Sequence, residues 1–390
     1  MIDTLPLSDA VLRIGESQTL AIGAKAKELK AKGEDVISLA AGEPDFDTPD
    51  FIKEAAIAAL KDGKTKYTPA SGLIELKKAI CEKLKNENNL DYNPKQIIIS
   101  CGAKHSIFNI IVATCNAADQ VLIPAPYWVS YPEMVQFVGA DPTIIPTGLS
   151  LKVTPELLTQ YAKANAKLLI LNSPSNPTGV VYTSAELEAI GKWCLENGVW
   201  IVSDEIYEKL WYAEEPFRSI SSMDKEIQDI TFVVNGVSKA YSMTGWRIGY
   251  VAGNQEVVSA MGRLQSQSTS NPTSIAQWAS LAAIEADQSF VEPMRQKFLK
   301  RRDLALDLIK QIPGTDCVKP GGAFYLFPSI QNASIDSFQF CEELLNKYKV
   351  ATVPGLAFGQ EGYLRLSYAT SDENIKKAIG RIAEFIESKK

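Results

Sequence analysis

Asp204, Lys239 and Arg247 stand just beyond two apolar runs of the chain, and their types suit one kind of ligand. The run at 199–203 ends in Asp204, followed by Glu205, Ile206 and Tyr207. A carboxylate placed there can stabilise a protonated heterocyclic nitrogen, and a tyrosine three residues on can donate to a phenolate oxygen. The run at 230–235 is followed by Ser238 and Lys239 and, eight residues beyond the lysine, by Arg247. A lysine in a partly dry crevice loses its proton more easily and can form a Schiff base, while a nearby arginine fits a phosphate. The turn Asn176-Pro-Thr-Gly179 follows the run at 167–172 and can aim an amide inward. Gly102-Ala103-Lys104 opens a helix whose free backbone N–H groups can meet an anion. Each feature alone has a plainer reading as a cap, a turn or a surface charge. Together they describe a phosphorylated hydroxypyridine aldehyde, which is pyridoxal phosphate.

Other chemistries find little support. His105 is the only histidine of the 390 residues, so a poly-histidine metal site is impossible and any Ser/His or Cys/His mechanism must run through it. The cysteines stand singly at 81, 101, 115, 194, 317 and 341 with no C-x-x-C pair, which signals neither a disulfide framework nor a thiolate zinc site. No bound metal is expected. Gly63-Lys64-Thr65 resembles the end of a phosphate-binding P-loop, but Ala58 occupies the place of its first glycine. Gly236-Val-Ser-Lys-Ala240 misses the nucleophile-elbow pattern at its last residue, and no G-x-G-x-x-G is present. The net charge of -6 gives polyanions no general attraction, so nucleic acid is not an expected partner. The first residues lack a basic and apolar leader, and no apolar run is long enough to span a membrane. A cytoplasmic protein with no membrane partner is the expectation.

The residues nominated above need a scaffold that gathers strand ends. Short runs at 96–100, 120–123, 167–172, 199–203 and 230–235 read as strands buried on both faces, and helical patterns lie between them. One helix is expected from Pro49 to Asp62, with Gly63 after it. The next carries Leu73, Leu76, Ile80 and Leu84 as one apolar stripe. This alternation predicts an α/β fold whose mostly parallel sheet is covered by helices. After about Ile284 the pattern changes to a long charged helix at 290–311, strand-like runs at 323–327 and 363–367, and a final helix capped by Ser371. The expected division is an N-terminal segment at 1–48 that joins the smaller unit, a large ligand-binding domain at 49–285, and a small α+β domain at 286–390.

Several blocks then carry a resemblance. Ser238-Lys-Ala-Tyr-Ser-Met-Thr-Gly-Trp-Arg-Ile-Gly-Tyr250, Ser173-Pro-Ser-Asn-Pro-Thr-Gly179, Ser203-Asp-Glu-Ile-Tyr207, Ala41-Gly-Glu-Pro-Asp-Phe46 and Pro126-Tyr-Trp-Val-Ser-Tyr131 resemble those of class I pyridoxal-phosphate aminotransferases. Within that family the bacterial Iβ aspartate aminotransferase subgroup is the most similar. The resemblance spans nearly the whole chain and implies the fold type I architecture of pyridoxal-phosphate transferases. It implies that Lys239 carries the cofactor as a Schiff base and later moves a proton between the substrate's Cα and the cofactor C4′. It assigns Asp204 to the pyridine nitrogen, Tyr207 and Asn176 to the ring oxygen, and Trp128 to the ring face. Gly102, Ala103, Ser238 and Arg247 would surround the phosphate, and Tyr67 would reach the phosphate of a neighbouring subunit in a homodimer. Arg365 would hold the substrate α-carboxylate as a bidentate fork, with the Gly42 backbone against the same group.

Two departures accompany the resemblance. The phosphate loop reads Gly102-Ala103-Lys104-His105, with His105 where a glutamine is usual. No counterpart of the distal-carboxylate arginine stands in 265–273, and the resemblance implies Lys104 with Thr19 in its place. The implied activity is transfer of an amino group from L-aspartate to 2-oxoglutarate, in two half-reactions at one site. A prephenate or aromatic amino acid aminotransferase is the alternative, and a non-catalytic pyridoxal-phosphate-binding regulator a remoter one.

Overall fold

The computed structural model describes residues 7–15, 18–331 and 335–389, with the side chains of 18–20 left aside. A short strand β1 (Ile37–Ser38) precedes the strands of the main sheet. These are β2 (Ile97–Ser100), β3 (Gln120–Ala125), β4 (Asp141–Pro146), β5 (Ala166–Asn172), β6 (Trp200–Asp204), β7 (Thr231–Gly236) and β8 (Gly249–Ala252). Their order is β2-β8-β7-β6-β5-β3-β4. Neighbours from β7 through β4 run parallel, whereas β8 is antiparallel to both β7 and β2.

The sheet is covered on both faces, as the unbroken apolar runs require. Along β5, Leu168 and Ile170 join one buried cluster with Ile107 and Ile111 of helix Ala103–Thr114. Leu169 and Leu171 join another with Leu187 and Ile190 of helix Ser184–Glu196. The helix expected from Pro49 forms as Asp50–Lys61, and the stripe of Leu76, Ile80 and Leu84 is buried on helix Ile74–Asn88.

Two strands depart from the expected pattern. β4 contains Pro142 and Pro146 and sits at the sheet edge, where a missing N–H is tolerated. β8 turns back after the Lys239 loop and packs so closely that a Cβ on Gly249 would meet the Ala103 nitrogen at 2.2 Å. The sheet is therefore mixed at that end and parallel elsewhere, as a mostly parallel sheet should be.

The remaining strands, β9 (Tyr325–Leu326), β10 (Val350–Ala351), β11 (Val353–Pro354) and β12 (Leu364–Ser367), are short. The runs expected at 323–327 and 363–367 thus form only in part. β11, β12 and β9 make an antiparallel sheet, and β1 pairs with β10 in parallel. Helices Glu292–Lys310, Ser337–Tyr348 and Asp372–Glu387 complete this part of the molecule. Ser371 caps the last through its side chain, which accepts from the Asn374 N–H at 3.1 Å, and Ile375, Ile379, Ile382 and Ile386 are buried. No helix of the described residues is long and apolar enough to cross a membrane.

Candidate active site

A cavity of about 930 Å³ opens where the carboxyl ends of the parallel strands meet the small-sheet region. Ligands of open α/β sheets sit at such strand ends. Gly42, Ala103, Lys104, Trp128, Asn176, Asp204, Tyr207, Ser238, Lys239, Arg247 and Arg365 all line it. Residues more than 300 positions apart in sequence are thereby brought to one place.

Asp204 is the last residue of β6 and is only 5% exposed. Tyr131 Oη donates to its Oδ2 at 2.6 Å, and the Ile206 N–H reaches its Oδ1 at 3.3 Å. Burial pushes its pKa up to about 6, while the Tyr131 hydroxyl works against that rise. Its neighbour Glu205 takes no part in the cavity. Its Oε1 accepts from the Ser203 and Ser219 hydroxyls at 2.7 and 2.6 Å.

Lys239 lies in the turn after β7, and its Nζ donates to the Gly42 carbonyl at 2.6 Å. Burial lowers its pKa to about 8, with the Arg247 and Arg365 cations acting in the same direction. Such an amine is part-way to the neutral form that a nucleophile needs.

Arg247 adopts a left-handed backbone (φ 57°), an uncommon conformation for a side chain of this size. Its guanidinium donates to the Thr244 carbonyl at 2.8 Å and to the Cys101 carbonyl at 3.3 Å. It lies so near Gly102 that a Cβ there would meet Nη2 at 2.3 Å. Gly102 (φ 90°) is the N-cap of helix Ala103–Thr114, so the guanidinium stands beside the free N–H groups of that helix start. His105, one turn into the helix, accepts from the Cys101 N–H through Nδ1 at 3.2 Å and makes an ordinary local contact.

Arg365 is on β12 and 3% exposed. Nη1 donates to Asn176 Oδ1 at 3.0 Å and Nη2 to the Ala40 carbonyl at 2.7 Å, while Nε has no partner among the described residues. Its Cζ lies 4.7 Å from the centroid of the Tyr325 ring and 5.1 Å from that of Phe358. A buried guanidinium held only by neutral acceptors calls for an anion.

Lys104 Nζ lies 4.8 Å from the Trp128 ring centroid, and desolvation followed by Arg247 holds its pKa below the usual lysine value. Tyr67 is 91% exposed and lies outside this chain's cavity. Thr19 falls on helix Gln18–Ala31, but its side chain is outside the described ones.

Residue patterns left three participants unassigned. Tyr131 holds Asp204, Asn172 Nδ2 donates to the Asp204 carbonyl at 2.8 Å, and Tyr325 Oη shares a 2.9 Å hydrogen bond with Tyr207 Oη. Tyr131 closes the block Pro126-Tyr-Trp-Val-Ser-Tyr131 that carried Trp128, and it sits in the first turn of helix Ser130–Phe137; its place in that block was the available signal. The Tyr207–Tyr325 pair means that Tyr207 engages a tyrosine of the smaller sheet, while Asn176 Oδ1 is taken by Arg365.

The model of the family "Aminotransferase class I and II" matches residues 34–382. The chain is 49% identical to an aspartate aminotransferase of Geobacillus stearothermophilus, over 99% of this chain and 100% of that one. It is 47% identical to an aspartate/prephenate aminotransferase of Cereibacter sphaeroides, covering 97% and 98% of the two chains. Among solved structures it is similar to the aspartate aminotransferase of Thermus thermophilus with maleate, with a TM-score of 0.93 and 43% identity. That match covers 98% of this chain and 100% of the other.

Proposed function

The chain belongs to the class I and II aminotransferase family, and from that premise we propose that it transfers the amino group of L-aspartate to 2-oxoglutarate with pyridoxal phosphate as cofactor. The observation that carries this reading is the shared cavity of Lys239, Asp204 and Arg365. An amine of lowered pKa, a buried carboxylate and a buried guanidinium without an anion are the three groups such a reaction needs.

The donor set fits the cofactor. Among the described residues no carboxylate hydrogen-bonds Lys239, and Gly102, where a side chain would collide with the guanidinium, lets Arg247 stand at a helix start. In this reading the N–H groups of that helix, Ser238 and Arg247 hold the phosphate, and Trp128 covers one face of the ring. Asp204 keeps the pyridine nitrogen protonated, and Tyr131 fixes the carboxylate. Tyr207 and Asn176 are the residues near the ring oxygen. When bound, the pyridinium ring supplies an electron sink for the pair released at the substrate's α-carbon.

The chain's own residues do the rest. Lys239 would hold the cofactor through its amine and, when that amine is free, would take the α-proton from the substrate's Cα and return it. Arg365 receives the α-carboxylate against the Gly42 backbone and so orients the Cα–H bond. The distal carboxylate falls to Lys104 with Thr19. A dicarboxylate buried without a cation would lose several kcal/mol on desolvation, and Lys104 is a cation on the cavity wall. Exposed Tyr67 would complete the phosphate site of a second copy in a cytoplasmic homodimer.

A second substrate reading, prephenate as the amino acceptor, is favoured by the 47% identical relative that is named for both substrates. A turnover screen of purified protein with aspartate, glutamate, tyrosine and prephenate tests the assignment. Aspartate with 2-oxoglutarate should be turned over at least as well as any aromatic pair. Turnover of aromatic donors alone would overturn it.

A further inference from the structure

The outer wall of the cavity carries a charge that the catalytic residues do not explain. Helix Gln18–Ala31 presents Gly23, Ala24, Lys27 and Lys30 to it, positions that share one helix face. Ala26 and Leu29 of the same helix are buried in one cluster with Val353 and Phe358, so the helix is anchored to the smaller sheet. Lys25 and Lys32 share Glu28 at 3.6 and 2.6 Å. The ammonium groups of Lys27 and Lys30 have no acidic partner among the described residues. Among the described residues that line the cavity the acids are Glu43 and Asp204, against Lys27, Lys30, Lys104, Lys239, Arg247 and Arg365. A chain of net charge -6 thus keeps a locally cationic cleft.

We propose that Lys27 and Lys30 form an outer cationic rim that favours dianionic over singly charged or net-neutral substrates by drawing them into the cavity. The inference rests on the dicarboxylate reading above and names residues that act before the substrate reaches Arg365. A cleft with low-dielectric walls focuses the field of charges at its rim. Salt screens that field over about 8 Å at physiological ionic strength. The rim should therefore act in proportion to the ligand's net charge and weaken with salt. Two exposed ammonium groups with no partner give up no existing ion pair when an anion passes.

The test uses the holoenzyme and a Lys27→Gln/Lys30→Gln double variant. Calorimetric binding of unreactive glutarate, doubly charged, is compared with butyrate, singly charged, at low and at high salt. The double variant should bind glutarate about fivefold more weakly at low salt and butyrate about twofold, with both differences closing at high salt. In turnover, kcat/KM should fall most for 2-oxoglutarate, less for aspartate and least for phenylalanine. A Lys27→Arg/Lys30→Arg variant should match the wild type. Equal losses for all ligands, a loss that salt does not change, no loss, or failure of the arginine variant to restore binding would each overturn the rim. Wild-type protein that does not turn over aspartate would instead overturn the substrate assignment, while the glutarate titration would still read the rim.

Discussion

The hydroxyl of Tyr131 donates to Asp204 Oδ2 across 2.6 Å, and both residues are buried. This contact fixes the carboxylate at the end of β6 and stabilises its ionised form. Tyr131→Phe keeps the ring and removes the donor. A hydrogen bond to a charged group is worth about 1.5–3 kcal/mol, so kcat should fall by about tenfold or more with little change in KM. Steady-state kinetics of the variant checks this, and unchanged kcat would mean that Asp204 needs no such support.

Asp204 itself should act through its charge. Asp204→Asn preserves shape and a hydrogen-bonding group but no longer stabilises a pyridinium. Turnover should drop by several orders of magnitude while the cofactor still binds, measured by absorbance and by kcat on the same preparation. Near-normal turnover would require the carboxylate to come from elsewhere.

Burial moves Lys239 down to about 8 and Asp204 up to about 6 in the protein without cofactor. Between about 8 and the usual 10.5 the folded Lys239 binds fewer protons than the unfolded chain, so its contribution to stability rises with pH across that window. Between 3.8 and about 6 the folded Asp204 binds more protons, so its contribution falls as pH rises. Cofactor capture needs neutral Lys239 and ionised Asp204. Its rate should therefore climb through pH 8 and decline below pH 6. Stopped-flow association across that range tests both limbs, and a flat profile would remove the role of these two groups.

Lys104 should matter for the distal carboxylate. If it does, Lys104→Ala cuts kcat/KM for aspartate far more than for an aromatic amino acid. Equal loss for both would assign Lys104 to the cofactor phosphate, beside Arg247.

Tyr67, exposed in the single chain, should serve a neighbour. Mixing Tyr67→Phe with Lys239→Ala protein should yield hybrid dimers with one site free of both defects, and so restore activity. Absence of recovery in demonstrated heterodimers would count against a shared site.

Much of this was readable in the chain because buried parallel strands are unbroken apolar runs, and their ends mark where polar residues converge. Asp204 and Lys239 stood out for that reason. β4 did not, because Pro142 and Pro146 argue against a strand unless its edge position is known. β8 was hidden within the block at 238–250, where Gly249 is demanded by the approach of Ala103 rather than by any strand pattern. Arg365 came from the resemblance alone, since an arginine in a short strand ordinarily reads as a surface residue. Tyr131 was part of a resembling block with no role of its own, and only its contact with Asp204 gives it one. Lys27 and Lys30 belong to no motif in the sequence, and only the cavity that runs along their helix singles them out.

The central claim is that Lys239 carries the cofactor, and borohydride reduction of the loaded protein followed by peptide mapping tests it most directly. A single pyridoxyl group on Lys239 is the expected result. A label on any other lysine, or none, would contradict it.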